Sequence, residues 1–285
     1  MRSLASRLPA RGLVRPNATG LAVSGAFLLG LVLLVKVCAP LAVSAPSPLP
    51  ETAVYQESRY LVRVVGPGGL CSGTPIKDTR YVVTAAHCVL SPATGKFDAD
   101  GIVTVFDDGE SYRAVRAMVW ETGVPLSEMK DWRNDAAVLV LDTSPGDGVL
   151  LGELGDIASG GVLVAYQRVD AAGRFYRGSF STKADYSRFV PASCRFSGRQ
   201  IRIVDGYLVV PCAMQPGGSG GPVLSQIGGE YFLMGVLSSL AEDDSCNNVA
   251  PVATIKNLLS HPGRTFVLNE SRIAAVGSGS GIHKR

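Results

Sequence analysis

From residue 60 to about residue 254 the chain alternates between short apolar runs and polar or glycine-rich breaks. The runs Tyr60–Val65, Tyr81–Val83, Gly101–Phe106, Tyr112–Trp120 and Ala136–Leu141 have strand length and are rich in Val, Leu and Tyr. Gly161–Tyr166, Ile201–Val204, Tyr207–Val210, Tyr231–Ser238 and Val249–Thr254 make five more. Asp205-Gly206 joins two of them as a two-residue hairpin turn. Helical periodicity is scarce, with one terminal helix expected at Thr254–His261. Many short strands at this spacing predict an all-β barrel or sandwich.

The N-terminal part has another pattern. Arg2, Arg7, Arg11 and Arg15 precede an apolar run from Gly20 to Val35, and no acidic residue occurs before Glu51. A basic segment followed by an apolar one is the pattern of a secretory signal. Extended through Lys36 to Val43, the run reaches the length of about 20 residues that a spanning helix needs. Ala42-Val43-Ser44 offers a cleavage site, so a retained anchor and a cleaved signal both stay open. Either one places the globular part of the chain outside the cytoplasm, membrane-anchored or secreted. The expected organisation is a basic segment 1–19, a signal or anchor 20–43, a proline-rich linker 44–59, a globular domain 60–265 and a flexible tail 266–285.

Composition narrows the function classes. Of 285 residues 46% are hydrophobic and 18% charged, enough apolar material for a sizeable core. A net charge of +3 is too small to imply nucleic acid as a partner. Six cysteines suit an oxidising location. Five of them (Cys71, Cys88, Cys194, Cys212, Cys246) come after the apolar run, an odd number that leaves one thiol over, while Cys38 lies within the hydrophobic segment.

Two strings carry chemistry. Gly217-Gly-Ser-Gly-Gly-Pro-Val223 puts Ser219 in a turn whose glycines open conformations closed to other residues. The amides of Gly217 and Ser219 can then converge on an oxyanion. Thr84-Ala-Ala-His-Cys88 ends an apolar run in His87, one of only three histidines and the natural base for a serine nucleophile. Asp135 directly precedes the run 136–141 and is the candidate to orient the imidazole, with Asp131 and Asp142 as rivals. No cluster calls for a metal or an organic cofactor.

Thr-Ala-Ala-His-Cys, Asn-Asp-Ala-Ala-Val-Leu and Gly-Gly-Ser-Gly-Gly-Pro, in that order, resemble the chymotrypsin/trypsin-like serine peptidases. The likeness runs from about Tyr60 to His261 and implies two six-stranded antiparallel β-barrels with a cleft between them. It implies His87 as general base, Asp135 as its orienting partner and Ser219 as nucleophile. Protein or peptide would be the substrate. It further implies a disulfide Cys71–Cys88, and either Cys194–Cys212, as in several bacterial members, or Cys212–Cys246, as in animal ones. A gapless count puts Ala213 at the floor of the specificity pocket. Ser238, Ser239 and Leu240 resemble the strand that pairs with substrate, with Leu240 narrowing the pocket toward small aliphatic side chains. Gly218 stands where animal enzymes carry the aspartate that locks the site after zymogen cleavage, and no Ile-Val-Gly-Gly start precedes the domain. The turn therefore has to hold its shape by other means. An inactive peptidase-like binding module and an esterase using the same three residues remain the alternatives.

Overall fold

A computed structural model describes residues 47–48, 57–97, 103–105, 109–129, 132–169, 188–204, 206–212, 214, 217–240, 246–261 and 265–267. The apolar segment 20–43, Ala213 and the tail after 267 lie outside them. No helix among the described residues is long and apolar enough to cross a membrane.

The strands, in chain order, are β1 (Ser47–Pro48), β2 (Val62–Gly66), β3 (Gly69–Pro75), β4 (Tyr81–Thr84), β5 (Val103–Val105), β6 (Ser111–Val119), β7 (Ala137–Leu141) and β8 (Leu150–Leu151). They continue with β9 (Gly161–Val169), β10 (Arg188–Phe196), β11 (Arg202–Val204), β12 (Tyr207–Val210), β13 (Pro222–Ile227), β14 (Glu230–Leu240), β15 (Asn247–Pro251) and β16 (Thr265–Val267). One helix, α1 (Val252–Ser260), comes directly after β15. The strand expected at 249–254 thus stops at Pro251. Proline has no N–H for the ladder but suits the start of a helix, so the chain turns helical there.

Two curled antiparallel sheets result. The first runs β16-β6-β5-β2-β3-β4-β7, and a further β6–β7 ladder closes six of these strands into a barrel. The second runs β1-β10-β9-β13-β14-β15-β12-β11, with β8 attached in parallel to β14. Within it, β10 and β12 end the six-strand run β10-β9-β13-β14-β15-β12. The disulfide Cys194–Cys212, with Cα atoms 6.0 Å apart, ties those two ends together.

Alternation along the strands decides which core each side chain enters. On β7, Ala137, Leu139 and Leu141 fill the first barrel, while Val138 faces the second sheet. On β9, Leu163 and Ala165 enter the second barrel, while Val162, Val164 and Tyr166 face the first. A third core therefore lies between the sheets, built from Val83, Val138, Val164, Leu233, Val236 and Ile255 among others. Strands buried on both faces read in sequence as continuous apolar runs, with no polar face to mark the register. Each side chain so buried contributes about 1.5–3 kcal/mol.

The chain entering the first barrel is pinned to the second sheet. Glu57 is buried and accepts hydrogen bonds from the Tyr231 hydroxyl (3.0 Å) and from Arg195. Burial, reinforced by the Glu57 carboxylate, pushes the Tyr231 hydroxyl above its ordinary pKa.

Candidate active site

The β4–β7 ladder brings the first two residues together. Thr84 lies opposite Ala137, so the chain beyond β4 and the chain ahead of β7 leave the barrel at the same rim. Residues 86–88 form a 3-10 turn that carries His87, anchored by the disulfide Cys71–Cys88 with Cα atoms 6.2 Å apart. Asp135, fully buried, faces it from the other strand. Its Oδ1 accepts the His87 backbone N–H at 2.8 Å, and its Oδ2 lies 2.7 Å from His87 Nδ1. A carboxylate only accepts, so the shared proton sits on Nδ1 and leaves Nε2 as the free base.

A buried carboxylate is tolerated only when its lone pairs are met. Here Ser238 supplies a third donor, its Oγ lying 2.6 Å from Asp135 Oδ2. Burial pulls the His87 imidazole down, and the Asp135 charge and hydrogen bond more than offset this, so the ring titrates above the ordinary histidine value. The Trp132 ring stands edge-on to the imidazole with centroids 5.9 Å apart. Of the rival aspartates, Asp142 lies beyond the far end of β7 beside Arg113, and Asp131 is outside the described residues.

The serine loop is held between the two sheets. The Ser219 carbonyl accepts the Ser72 N–H at 2.7 Å, and the Gly220 N–H donates to the Leu237 carbonyl at 2.7 Å. Gly220 has φ +80°, and a Cβ there would come within 2.2 Å of the Ser72 carbonyl and 2.3 Å of Thr84 Oγ1. Only glycine fits so tight a crossing. Thr84 lies three residues before His87, so this crossing sets Ser219 at the rim that bears the imidazole. Among the described residues no hydrogen bond joins Ser219 Oγ to His87, as is common when substrate is absent.

Ser72 was not legible as a site residue. Its hydroxyl, fully buried, accepts the Tyr166 N–H (2.8 Å) and donates to the Gly217 carbonyl (3.1 Å). Gly217 has φ +105°, with the Phe189 ring against it. With that carbonyl turned into the protein, the amides of Gly217 and Ser219 on either side of it make none of the hydrogen bonds found among the described residues. Asn247, nearly fully buried, is a second residue without a sequence signal. Its side chain takes the Met214 N–H at 2.8 Å and reaches the Ser239 carbonyl at 3.4 Å, joining the segment before the serine to β14.

The expected substrate residues divide. Ser238 has its hydroxyl committed to Asp135, so its side chain serves that carboxylate. Leu240 ends β14, opposite Asn247, and Ala213 lies outside the described residues. Cys246 is disulfide-bonded as well as the two pairs above, and no free thiol is found among the described residues. The expectation of one left-over thiol among these five is therefore corrected. Cys71, Cys88 and His87 cluster, but both sulfurs are spent in a disulfide and offer no thiolate to a metal.

A family model described as the trypsin-like peptidase domain matches residues 71–232, more than half of the chain. The chain belongs to the trypsin-like peptidases. No curated protein matches it. Among solved structures, a Glu endopeptidase in complex with MPD is 16% identical with a TM-score of 0.53, covering 76% of this chain and 95% of its own. A thermostable serine protease, AL20, from an extremophilic microorganism is also 16% identical, with a TM-score of 0.48, covering 70% of this chain and 95% of its own. The peptidase family and the two-sheet fold agree on a serine-type hydrolase acting on protein or peptide.

Proposed function

We propose that this trypsin-like peptidase is a serine endopeptidase working outside the cytoplasm through a Ser219–His87–Asp135 triad. The observation that carries the reading is the fully buried Asp135, bonded through both oxygens to His87 at the rim where the serine loop crosses. Ser219 attacks the peptide carbonyl while His87 Nε2 takes its proton. The oxyanion forms against the Gly217 and Ser219 amides, and the Ser72 hydroxyl keeps the Gly217 carbonyl turned away from it. His87 then protonates the leaving amine, and water activated by the same ring releases the acyl group. Asp135 stabilises the imidazolium at each transfer.

Residues 20–43 export the domain as a retained anchor or a cleaved signal. Ala213 and Leu240 shape a narrow apolar pocket for a small aliphatic side chain ahead of the scissile bond. A fluorophosphonate probe tests the triad. Labelling of the wild type and its loss in Ser219→Ala is the expected result. A folded wild type that does not label is a binding module, and one that labels and cleaves esters but no peptide is an esterase.

A further inference from the structure

Two arginines differ from those that are paired. Arg59, Arg113 and Arg195 each meet a carboxylate. Arg63 and Arg168 meet none among the described residues, and the Nε of each is buried without a hydrogen-bond partner. Each guanidinium lies instead on an aromatic ring, Arg63 at 4.8 Å from the Tyr166 centroid and Arg168 at 5.1 Å from that of Phe189. Stacking of this kind holds a guanidinium flat against a ring while its terminal N–H groups keep their capacity to donate.

The Phe189 ring and the Tyr166 backbone carbonyl adjoin the oxyanion loop. A Cβ on Gly217 would lie 2.8 Å from the Phe189 ring and 3.4 Å from the Tyr166 carbonyl. The ladders agree with that placement. Arg63 on β2 is directly opposite Ser72, whose hydroxyl holds Gly217. Arg168 on β9 is directly opposite Phe189 and two residues from Tyr166, hence on the same face. The serine loop itself runs between Ser72 on one flank and Leu237 on the other. Ser238–Leu240, which receive the part of the substrate ahead of the scissile bond, continue from the Leu237 flank. The arginines occupy the Ser72 flank, where the leaving half of the substrate passes.

We propose that Arg63 and Arg168 form an anion subsite that binds a carboxylate in the residues following the scissile bond. The enzyme then prefers substrates with Asp or Glu just after the point of cleavage. A carboxylate there would receive charge-assisted, bidentate hydrogen bonds from guanidinium groups that meet no carboxylate among the described residues. The inference rests on the peptidase reading and extends it to substrate class.

The test uses the full chain and fluorogenic peptides that differ only in carrying Glu, Ala or Lys at the two positions after the scissile bond. The expected result is a kcat/KM for Glu about tenfold above Ala, with Lys below Ala. Raising the salt from about 0.05 to 0.5 M should shrink the preference in the wild type, a measurement that needs no variant. Arg63→Gln and Arg168→Gln should each lower the Glu-to-Ala ratio while leaving the rate on the Ala peptide within about twofold. Equal wild-type rates on the three peptides, or a preference that survives in the double variant, overturn the inference and leave the peptidase reading standing. No cleavage of any peptide overturns both.

Discussion

The first sheet joins its two site residues directly to each other, while the second sheet's serine loop is held from both sheets. His87 and Asp135 leave one barrel at adjacent strand ends and are joined twice, through the backbone amide and the ring. Within the serine loop the Gly221 N–H donates to the Gly218 carbonyl. Its other anchors come from Ser72 on the first sheet and Leu237 on the second. Gly218 has no side chain with which to anchor the loop. The base is thus preorganised by one barrel's closure, and the oxyanion loop by the docking of two barrels.

The largest expected effect breaks the first sheet's side. Asp135→Asn keeps the shape but reverses the hydrogen-bond polarity at Nδ1, and should lower kcat by roughly 10³–10⁴-fold. The pH profile sharpens it. In the wild type the folded imidazole titrates above its ordinary value of about 6.5, so activity falls away at a higher pH than for an isolated histidine. The protonated ring contributes stability that is fully present below the ordinary pKa and is lost as pH rises through the folded one, opposite in sense to activity. Asp135→Asn should move the acid limb of kcat/KM to lower pH, and an unmoved limb would mean that another group titrates.

Next in size is a comparison of the disulfides. Each closes a similar span, with sequence separations of 17 and 18, so the chain-entropy effect of either is about 3 kcal/mol. Cys194→Ala with Cys212→Ala should lower the thermal midpoint while the remaining folded enzyme keeps its kcat, because that bond closes a barrel away from the imidazole. Cys71→Ala with Cys88→Ala should cost similar stability and also reduce kcat, since Cys88 is the neighbour of His87. Equal losses of kcat from both pairs would erase the distinction between the two halves.

The smallest change tests the cross-cleft hold. Ser72→Ala leaves both the Gly217 carbonyl and the Tyr166 N–H without their partner and should lower kcat by about 10–100-fold with KM little changed. Affinity for a boronate, which forms a tetrahedral anion on the serine, should fall in parallel, while affinity for an uncharged substrate analogue should not. A variant losing both affinities equally would show that Ser72 supports the fold and not the oxyanion loop.

Much of this was legible in one dimension, and the omissions have a common cause. Strands such as β4, β7 and β12 announce themselves as Val- and Leu-rich runs. β3, reading Gly-Leu-Cys-Ser-Gly-Thr-Pro, does not, although its last five residues are buried. Its Ser72 hydroxyl is paired with Gly217 and Tyr166, far away in the chain, and nothing local reveals that. β10 hides behind Pro191, and β13 behind the glycines of the serine loop. Ser72 looks like a turn residue until its partners appear, 94 and 145 residues along the chain. Ser238, expected to serve substrate, gives its hydroxyl to Asp135, which lies 103 residues earlier.

The sequence by itself determined the residue types of the chemistry, their order along the chain, and the β-rich fold that carries them. These are local signals: a glycine turn around a serine, a histidine ending an apolar run, an aspartate beginning another. Only the tertiary structure decided that Asp135 rather than Asp142 faces His87, that Cys212 joins Cys194, that Ser72 turns the Gly217 carbonyl, and that Arg63 and Arg168 meet no carboxylate among the described residues. Each of those depends on groups brought together by packing across two sheets, and a buried hydrogen bond or an unpaired charge exists only once its surroundings do.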